Sequence, residues 1–468
     1  MPMKKWSSWL IILLIASNGW GQSLETTILE HMDNKNVSGL AAIIIQDSNI
    51  VWEGYYGLAD RNLGKPVDTS TIFMMASISK TITATALMQL HEDGLFELDD
   101  AINEYLPFSV TPVSHPDADI TFRQLLTHTS SIRDNWSVLI DLYTIGNSPL
   151  ALGDFLEDYL SPGGDYYSSQ SFYGYAPGGN ANYSNVGAAL CGYLVEAITG
   201  QPFNAYCHAQ IFEPLCMDNT GWFLSELDTT LIARPYTYIF GTYYDQGLYG
   251  YPDYPDGQLR TTARSLAKFL GAYMQNGTLY GTTLLEESTV ESMLEVQDAD
   301  LDAIQGLMWY QWNLGGEPHW GHNGGDDGVS TDMYFNPATR TGYIVLTNGE
   351  AFNGPVINAM IDATADDLAS ATALQLDCNF TTEIPDVLPA VNWGVQPNPA
   401  SDFTTISCSD CVMESIQVRD LTGKLLLEQN AAQPVQYWQM DVSTWSSGVY
   451  IITLFNDKGS SSKLFTKP

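Results

Sequence analysis

The chain has 468 residues, and its 45% apolar and 15% charged residues, with 26 tyrosines and 12 tryptophans, are typical of folded rather than disordered protein. This length exceeds one average domain, so we expect at least two folded units. The 54 acidic and 18 basic residues give a formal charge of −36, which argues against nucleic acid and anionic membrane surfaces as partners.

Residues 1–21 have the pattern of a secretory signal. Lys4 and Lys5 precede the apolar run from Trp9 to Ala16, and a small-x-small triplet ends at Gly21. The run is too short to span a bilayer, and no run of about eighteen apolar residues follows it. We therefore expect cleavage after Gly21 and export without a transmembrane anchor.

The next elements are a hairpin and a helix. Two β-rich runs, 39–45 and 50–57, flank the turn residues 47–49 and predict a β-hairpin. Apolar residues then recur at steps of three and four between Ile78 and Leu90, and Gly94 supplies a stop signal. The pattern predicts a helix over this stretch.

Ser77 is expected at or near the N-terminus of that helix, with Lys80 one turn on and on the same face. The amine of Lys80 can then reach the Ser77 hydroxyl, and the helix dipole favours negative charge developing there. The pair is a candidate nucleophile and base.

The segment 120–130 predicts a short helix that ends in a polar loop. His128 in this loop is a candidate for substrate contact, although a histidine in such a loop more often satisfies local backbone groups. Residues 131–182 are rich in Gly, Pro, Tyr and Ser, which predicts long loops over a site, where the substrate would be selected.

Residues 185–200 and 265–276 have helical patterns, and 331–348 predicts a second β-hairpin. Helices thus fall between an early and a late group of strands. This order predicts an antiparallel sheet assembled from both ends of a domain spanning 22–377, with helices packed against it. A linker is expected at 378–395, followed by a small β-rich domain at 396–468.

Six cysteines would meet an oxidising environment after export. About fifteen full pairings are possible. We favour Cys207 with Cys216, and leave Cys191 either free and buried or bridged. Cys408 and Cys411 are expected to form a local disulfide rather than a metal or redox site, because neither a second CxxC nor a histidine is nearby.

No cofactor or metal is expected. Asp298, Asp300 and Asp302 are spaced like calcium ligands, but Ala303 stands where such a loop has glycine and Trp309 where it has glutamate.

Single motif matches decide little, because Ser-x-x-Lys also occurs at 265–268 and 460–463. An ordered set carries more information. Three segments together suggest a serine acyl-transfer site, which needs a nucleophile, a base, a second proton carrier and oxyanion donors. They are Ser77-Ile78-Ser79-Lys80, Tyr183-Ser184-Asn185 and His322-Asn323-Gly324-Gly325.

With Leu125-Leu126-Thr127-His128-Thr129-Ser130 and Phe212-Glu213-Pro214-Leu215-Cys216-Met217, these segments make residues 39–376 resemble a family. It is the class C β-lactamase type of serine hydrolase, which includes DD-peptidases, D-amino-acid peptidases and related esterases. The resemblance implies an α/β (α+β) penicillin-binding-like fold, in which an antiparallel sheet flanked by helices and a mostly helical lobe enclose the site.

The resemblance also implies roles for the residues. Ser77 would be acylated, with Lys80 as its base or electrostatic partner and Tyr183 moving protons to the leaving group or from water. The backbone N–H groups of Ser77 and Gly325 would form the oxyanion hole. The residues expected to bind the substrate are Asn185, His322, Asn323 and Gly324. Whether Lys80 or Tyr183 takes the first proton stays open.

Two departures from the best-known β-lactamases matter. His322 stands where they carry the lysine of Lys-Thr-Gly, which weakens the positive charge that would hold a substrate carboxylate. Cys216 occupies a position usually held by glycine, and we interpret it as structural. We therefore expect hydrolysis of an ester or amide of a small molecule or peptide. The alternatives are a D-Ala-D-Ala carboxypeptidase or β-lactamase, and a non-catalytic scaffold that binds cell-wall fragments.

The final 70 or so residues resemble the C-terminal sorting domains of type IX secretion substrates. The motifs are Pro397-Asn398-Pro399-Ala400, Asp420-Leu421-Thr422-Gly423-Lys424, Ser447-Gly448-Val449-Tyr450 and the basic end at 463–467. This resemblance implies an immunoglobulin-like β-sandwich that is recognised by the outer-membrane export machinery. The chain would reach the cell surface or medium through the periplasm and outer membrane. The alternative is a carbohydrate-binding or adhesion module.

Overall fold

The computed structural model describes residues 24–366, 374–376, 378, 393–396, 403–408, 413–420, 425–446, 448–456 and 459–467. The chain divides into two compact units, Met1–Cys378 and Asn379–Pro468. The proposed signal at 1–21 lies outside the described residues. So does most of the proposed linker at 378–395, but a strand that begins at Trp393 falls inside that range.

The helices described in the first unit are α1 (Leu24–Lys35), α2 (Ser79–Glu92), α3 (Phe122–Leu126), α4 (Trp136–Leu139), α5 (Leu152–Leu160), α6 (Asn185–Thr199), α7 (Phe203–Cys207), α8 (Ala263–Met274), α9 (Glu287–Met293) and α10 (Gly354–Asp366). Across the described ranges, no helix combines the length and apolarity needed to cross a bilayer.

The strands described in the first unit are β1 (Gly39–Gln46), β2 (Asn49–Asp60), β3 (Lys65–Pro66), β4 (Ile72–Met74), β5 (Thr144–Ile145), β6 (Tyr236–Ile239), β7 (Thr242–Asp245), β8 (Tyr249–Gly250), β9 (Arg260–Thr262), β10 (Thr278–Leu279), β11 (Thr282–Thr283), β12 (Tyr310–Leu314), β13 (Glu317–Asp326), β14 (Val329–Asn336), β15 (Thr341–Thr347) and β16 (Leu374–Gln375).

The main sheet is antiparallel and has the strand order β12-β13-β14-β15-β1-β2-β16, with β3 paired to β2. Early strands lie beside late ones, because β1 pairs with β15 from Leu40↔Thr347 to Gln46↔Thr341. Both predicted hairpins and the sheet built from both ends of the domain are thereby confirmed.

Helices cover both faces of this sheet. α1 and α10 share a core with Leu40 and Ile44 of β1. On the opposite face, Leu270 and Met274 of α8 pack against Gly342 of β15. Since β1 is buried on both sides, its sequence is continuously apolar instead of alternating.

The remaining helices form a second layer in which α2 packs against α6. Buried hydroxyls inside α2 have both local and distant partners: Thr81 donates to the Ile78 carbonyl at 2.8 Å, and Thr83 donates to the Pro255 carbonyl at 2.6 Å. The prediction that 131–182 consists of long loops is wrong in part, because α4 and α5 lie within it. In α5 the buried residues recur at helical spacing, namely Leu152, Phe155, Leu156, Tyr159 and Leu160.

The predicted Cys207–Cys216 bond is wrong. Cys216 is bonded to Cys378, 162 residues along the chain, while Cys207 and Cys191 are free and buried. Proximity along the chain was therefore a poor guide to the pairing. Cys216 has a φ of +51°, a left-handed conformation that glycine adopts without strain. Its disulfide confirms a structural role.

The second unit contains β17 (Trp393–Gln396), β18 (Phe403–Cys408), β19 (Met413–Asp420), β20 (Leu425–Val435), β21 (Tyr437–Asp441), β22 (Gly448–Asn456) and β23 (Gly459–Lys467). They form two antiparallel sheets, β17-β18-β21 and β20-β19-β22-β23, around one apolar core. This arrangement agrees with a small β-sandwich. Cys408 is disulfide-bonded, while Cys411, residues 397–400 and the turn at 421–424 lie outside the described residues.

We predict that the variant with both Cys216→Ser and Cys378→Ser unfolds at a lower temperature than the wild type. A bond that closes so long a loop removes chain entropy from the unfolded state, on the order of 3–5 kcal/mol. The measurement is thermal unfolding with and without reductant. As a control, peptide mapping under non-reducing conditions should show Cys191 and Cys207 alkylated only after denaturation. A peptide that links Cys207 to Cys216 would contradict this pairing.

Candidate active site

Ser77 lies in a 3-10 turn, Ala76–Ile78, that leads directly into α2. The chain enters this turn from β4, which pairs with β9, and the Met75 N–H donates to the Leu259 carbonyl at 2.8 Å. Ala76 has a φ of +45°, which is a strained conformation for a residue with a side chain. The sequence placed Ser77 correctly at the head of the helix.

Lys80 is fully buried, and its amine joins three parts of the chain. Nζ donates to Ser77 Oγ at 3.1 Å, to Asn185 Oδ1 at 2.7 Å and to the Asp256 carbonyl at 2.8 Å. Nζ also lies 3.7 Å from Asp256 Oδ2. Burial lowers the pKa of Lys80, while Asp256 opposes this shift. The amine is thus closer to its neutral form than an exposed lysine.

Tyr183 completes the group around Ser77. Its ring centroid lies 4.8 Å from Lys80 Nζ. Burial raises the pKa of Tyr183 well above its ordinary value, although the Ser77 side chain opposes the shift. The phenol is therefore protonated at neutral pH. The residue is 39% exposed, so a substrate in the cavity can reach it.

Asp134 holds the start of α6 and was missed by the sequence analysis. Its carboxylate accepts hydrogen bonds from Ser184 Oγ at 3.1 Å, Asn185 N at 2.9 Å and Val186 N at 3.1 Å. A carboxylate at a helix N-terminus also suits the helix dipole. These hydrogen bonds hold the turn that carries Tyr183 and Asn185. No motif in the sequence indicated that Asp134 would accept them.

Gly324 allows β13 to lie directly against the Ser77 segment. A Cβ at this position would be 2.5 Å from the Met75 carbonyl oxygen and 2.9 Å from the Ser77 nitrogen, closer than real Cβ contacts. Gly325, the next residue, has open space where its Cβ would be and lines the cavity together with Ser77. A residue without a side chain is thus required at position 324 for β13 to pack against the Ser77 backbone.

His322 faces the protein interior. Its side chain is buried between the rings of Tyr183 and Tyr310, at centroid distances of 6.2 and 5.2 Å. Nδ1 lies 2.5 Å from the Asn323 carbonyl oxygen. Burial, aided by Lys80, lowers the pKa of His322 to about 3, so the ring is neutral at physiological pH.

Asn323 is exposed and lines a separate cavity of about 390 Å³ beside Trp312 and Asn353. Neither the His322 nor the Asn323 side chain lines the cavity around Ser77. This placement differs from the expectation that both face the substrate. Successive residues of a strand point to opposite sides, so at most one of the two could have done so.

His128 has the local role that its position favoured. Its Nδ1 accepts the Ser184 N–H at 3.3 Å, and its side chain is buried beside the Tyr183 ring. The second Ser-x-x-Lys of the first unit is also structural. Ser265 Oγ donates to the Asp218 carbonyl at 2.8 Å, and Lys268 Nζ donates to the Cys216 carbonyl at 2.6 Å.

A cavity of about 640 Å³ opens above Ser77. Asn185 lines it, and since its Oδ1 accepts from Lys80, its NH₂ group is the donor left for a ligand. Many of the other lining side chains are aromatic or acidic, and the sequence analysis named none of these for the site except Tyr183. They are Trp136, Tyr143, Tyr173, Tyr183, Tyr251, Asp134, Asp256, Asp326 and Asp327.

Comparison with known proteins agrees with this arrangement. Residues 24–365 match the Beta-lactamase family. The chain belongs to this family. Its first unit is accordingly a serine hydrolase of the β-lactamase type. Residues 394–467 match the Secretion system C-terminal sorting domain, which indicates export or display at the cell surface.

Individual relatives differ in their activities. A β-lactamase of Yersinia enterocolitica is 27% identical over 294 residues, covering 62% of this chain and 69% of the relative. Esterase EstB of Burkholderia gladioli is 29% identical over 219 residues, covering 46% of this chain and 54% of the esterase. The crystal structure of a penicillin-binding protein from Bacillus halodurans superposes with a TM-score of 0.60 at 25% identity, covering 73% of this chain and 98% of that protein.

We predict that Gly324→Ala lowers the rate of covalent labelling of Ser77 by a fluorophosphonate at least ~10-fold while the protein still folds. The added methyl group would push the Ser77 backbone away from β13. Gly174→Ala is the control, because its methyl group also meets open space and the residue is not among those that line the cavity, so its labelling rate should change much less. Equal effects of the two substitutions would contradict the close-packing argument. Circular dichroism verifies folding.

Proposed function

We propose that this enzyme hydrolyses an ester or amide of a small molecule or short peptide through an acyl-enzyme on Ser77. The observation that carries the proposal is the contact of 3.1 Å between Lys80 Nζ and Ser77 Oγ, with the Tyr183 ring centroid 4.8 Å from the same amine. A nucleophile beside a base that is itself oriented by further groups is the general arrangement for covalent catalysis.

In the first step, Ser77 Oγ attacks the carbonyl carbon and its proton passes to the neutral amine of Lys80. Tyr183 gives its proton to the leaving alcohol or amine as the acyl–oxygen or acyl–nitrogen bond breaks. Water then attacks the acyl-enzyme, one water proton returns to the phenolate, and Ser77 recovers its proton from Lys80. The lowered pKa of Lys80 supports its role as base. The raised pKa of Tyr183 keeps the phenol protonated until a basic leaving group develops beside it.

The oxyanion that forms in each half-reaction would be bound by the backbone N–H groups of Ser77 and Gly325. Both residues line the cavity, and the close packing of β13 on the Ser77 turn brings their backbones together. Loss of one such donor typically costs about 3 kcal/mol of transition-state stabilisation.

An ester or amide is favoured over a β-lactam because position 322 supplies no positive charge. The neutral and buried His322 cannot hold a substrate carboxylate as a lysine would. The second candidate is a D-Ala-D-Ala carboxypeptidase or β-lactamase, and Arg133 favours it, because its guanidinium lines the cavity. A non-catalytic scaffold would not need the contacts among Ser77, Lys80 and Tyr183.

The proposed export route determines where the enzyme acts. We propose that residues 1–21 are a signal peptide and that the domain at 396–468 is recognised by type IX secretion machinery. The match of 394–467 to a secretion-system sorting domain supports this route. The enzyme would then act at the cell surface or in the medium.

We predict that Ser77→Ala abolishes labelling by a fluorophosphonate, because no hydroxyl remains to form the covalent bond. Ser265→Ala, in the second Ser-x-x-Lys, is the control and should keep its labelling. Labelling that survives Ser77→Ala would overturn the assignment of the nucleophile. Turnover of p-nitrophenyl esters, D-Ala-D-Ala peptides and nitrocefin separates the candidate activities, and turnover of none would favour the scaffold.

We predict that kcat/KM for an ester rises with pH through a midpoint below ~10.4, the ordinary lysine pKa. Lys80 must be neutral to accept the proton, and burial lowers its pKa, so activity is lost as pH falls below that midpoint. Lys80→Met should reduce kcat roughly 10²- to 10⁴-fold and abolish the rise of kcat/KM with pH. If kcat/KM of Lys80→Met still rises with pH in the same way, the base is another residue. Tyr183→Phe should keep this pH dependence but have a lower kcat.

A further inference from the structure

The cavity around Ser77 is lined by more acidic than basic residues. Four of its lining residues carry carboxyl groups, namely Asp134, Asp256, Asp326 and Asp327, against the single guanidinium of Arg133. The buried amine of Lys80 lies below them. Positive charge is therefore scarce in the cavity.

The four carboxyl groups are not equally engaged. Asp134 is used by the start of α6. Asp326 accepts from the Tyr143 hydroxyl at 3.3 Å, the Tyr251 hydroxyl at 3.2 Å and the Asp327 N–H at 2.8 Å. Its carboxylate thus faces two tyrosine side chains that also line the cavity.

Asp256 is the exception. Only 7% of the residue is exposed, and among the described residues its Oδ1 has no hydrogen-bond partner. Its other oxygen lies 3.7 Å from Lys80 Nζ, beyond hydrogen-bond distance. A buried carboxyl group without donors costs free energy, since it has lost water and gained little in return. A donor from a ligand would remove this deficit.

The acids also oppose each other's ionisation. Burial raises the pKa of Asp256 well above its ordinary value, and repulsion from Asp253 and Asp326 adds to the effect. Burial likewise raises the pKa of Asp326 to about 6 and that of the neighbouring Asp253 to about 7, and nearby carboxylates add to both shifts. Lys80 is the cation that offsets Asp253 and Asp256. A second cation in the cavity would stabilise all three carboxylates.

The aromatic rings that line the cavity favour an organic ammonium group over a metal ion. Trp136, Tyr143, Tyr173 and Tyr251 line the cavity, and the rings of Tyr143 and Tyr251 lie 4.8 Å apart beside Asp326. Ring faces attract organic ammonium groups, whereas a bare metal ion prefers a shell of oxygen ligands. Arg133 lies towards Tyr173, with its Cζ 5.6 Å from that ring, which leaves the side of Tyr143 and Tyr251 for the ligand.

We infer that the substrate carries an ammonium group, held by Asp256 and Asp326 and contacted by the rings of Tyr143 and Tyr251. The inference rests on the proposed acyl-transfer function of Ser77 and narrows its substrate class to esters or amides of cationic compounds. The remainder of the substrate would lie towards Ser77, with its carbonyl group at the oxyanion donors.

The test compares compounds of equal shape that differ in one positive charge. Butyrylcholine and 3,3-dimethylbutyl butyrate place the difference on the leaving group, while alanine p-nitroanilide and isobutyryl p-nitroanilide place it on the acyl group. The full chain is labelled at Ser77 with a fluorophosphonate, and the concentration of each compound that halves the labelling rate is measured. In at least one pair, we expect this concentration to be ~10-fold lower for the cationic member.

Variants separate a local site from the general negative charge of the protein. Asp326→Asn, or Tyr143→Leu if the first variant folds poorly, should reduce the ratio within the preferred pair to near one. Asp117→Asn removes one charge at an exposed position away from the cavity and should leave the ratio unchanged. The preference should also persist at ~0.5 M salt, where long-range attraction is screened.

The outcomes are distinct. A ratio near or below one in both pairs, while Ser77 is labelled normally, overturns the cationic substrate and leaves the acyl-enzyme intact. If Asp326→Asn and Asp117→Asn reduce the preference for the cationic compound equally, the local site is wrong and the general negative charge of the protein explains the preference. Failure of Ser77 to react at all overturns the proposed function itself.

Discussion

The buried amine of Lys80 is the constraint on which the site depends. An ammonium group without water is unfavourable unless it donates to well-placed acceptors. Here the acceptors come from the 3-10 turn before α2, from the start of α6 and from the turn at Asp256. These three elements must therefore keep their relative positions. The same bonds that make burial tolerable place Ser77, Asn185 and Tyr183 around one point.

Close packing supplies the second constraint. β13 approaches the Ser77 turn so closely that Gly324 has no space for a side chain. Thr331 Oγ1 of β14 donates to the Met75 carbonyl at 2.7 Å and ties the sheet to the same turn. Strands β13 and β14 and the head of α2 thus pack together beside the cavity, and carboxyl groups and tyrosines line much of the rest of it.

Local sequence patterns predicted many of the helices and strands. The roles of Asp134, Asp256 and His322 depend on long-range contacts, which the sequence alone could not show. Apolar periodicity located α2 with Ser77 at its head, and the placement of helices between an early and a late group of strands predicted the antiparallel sheet. The helical spacing of α5 was present but was hidden by surrounding Gly, Pro and Tyr. Asp134 and Asp256 act through partners about 50 and 176 residues away, so no spacing pointed to them. The tertiary fold also decided which face of β13 carries His322.

The Cys216–Cys378 bond has a consequence for processing. Cys378 is the last residue of the first unit, so a protease that cuts after it would separate the sorting unit and create a new carboxyl terminus. That terminus would remain covalently attached to Cys216 of the hydrolase unit. Removal of the sorting unit at this point would therefore leave β16, which ends three residues before Cys378, tethered by the disulfide.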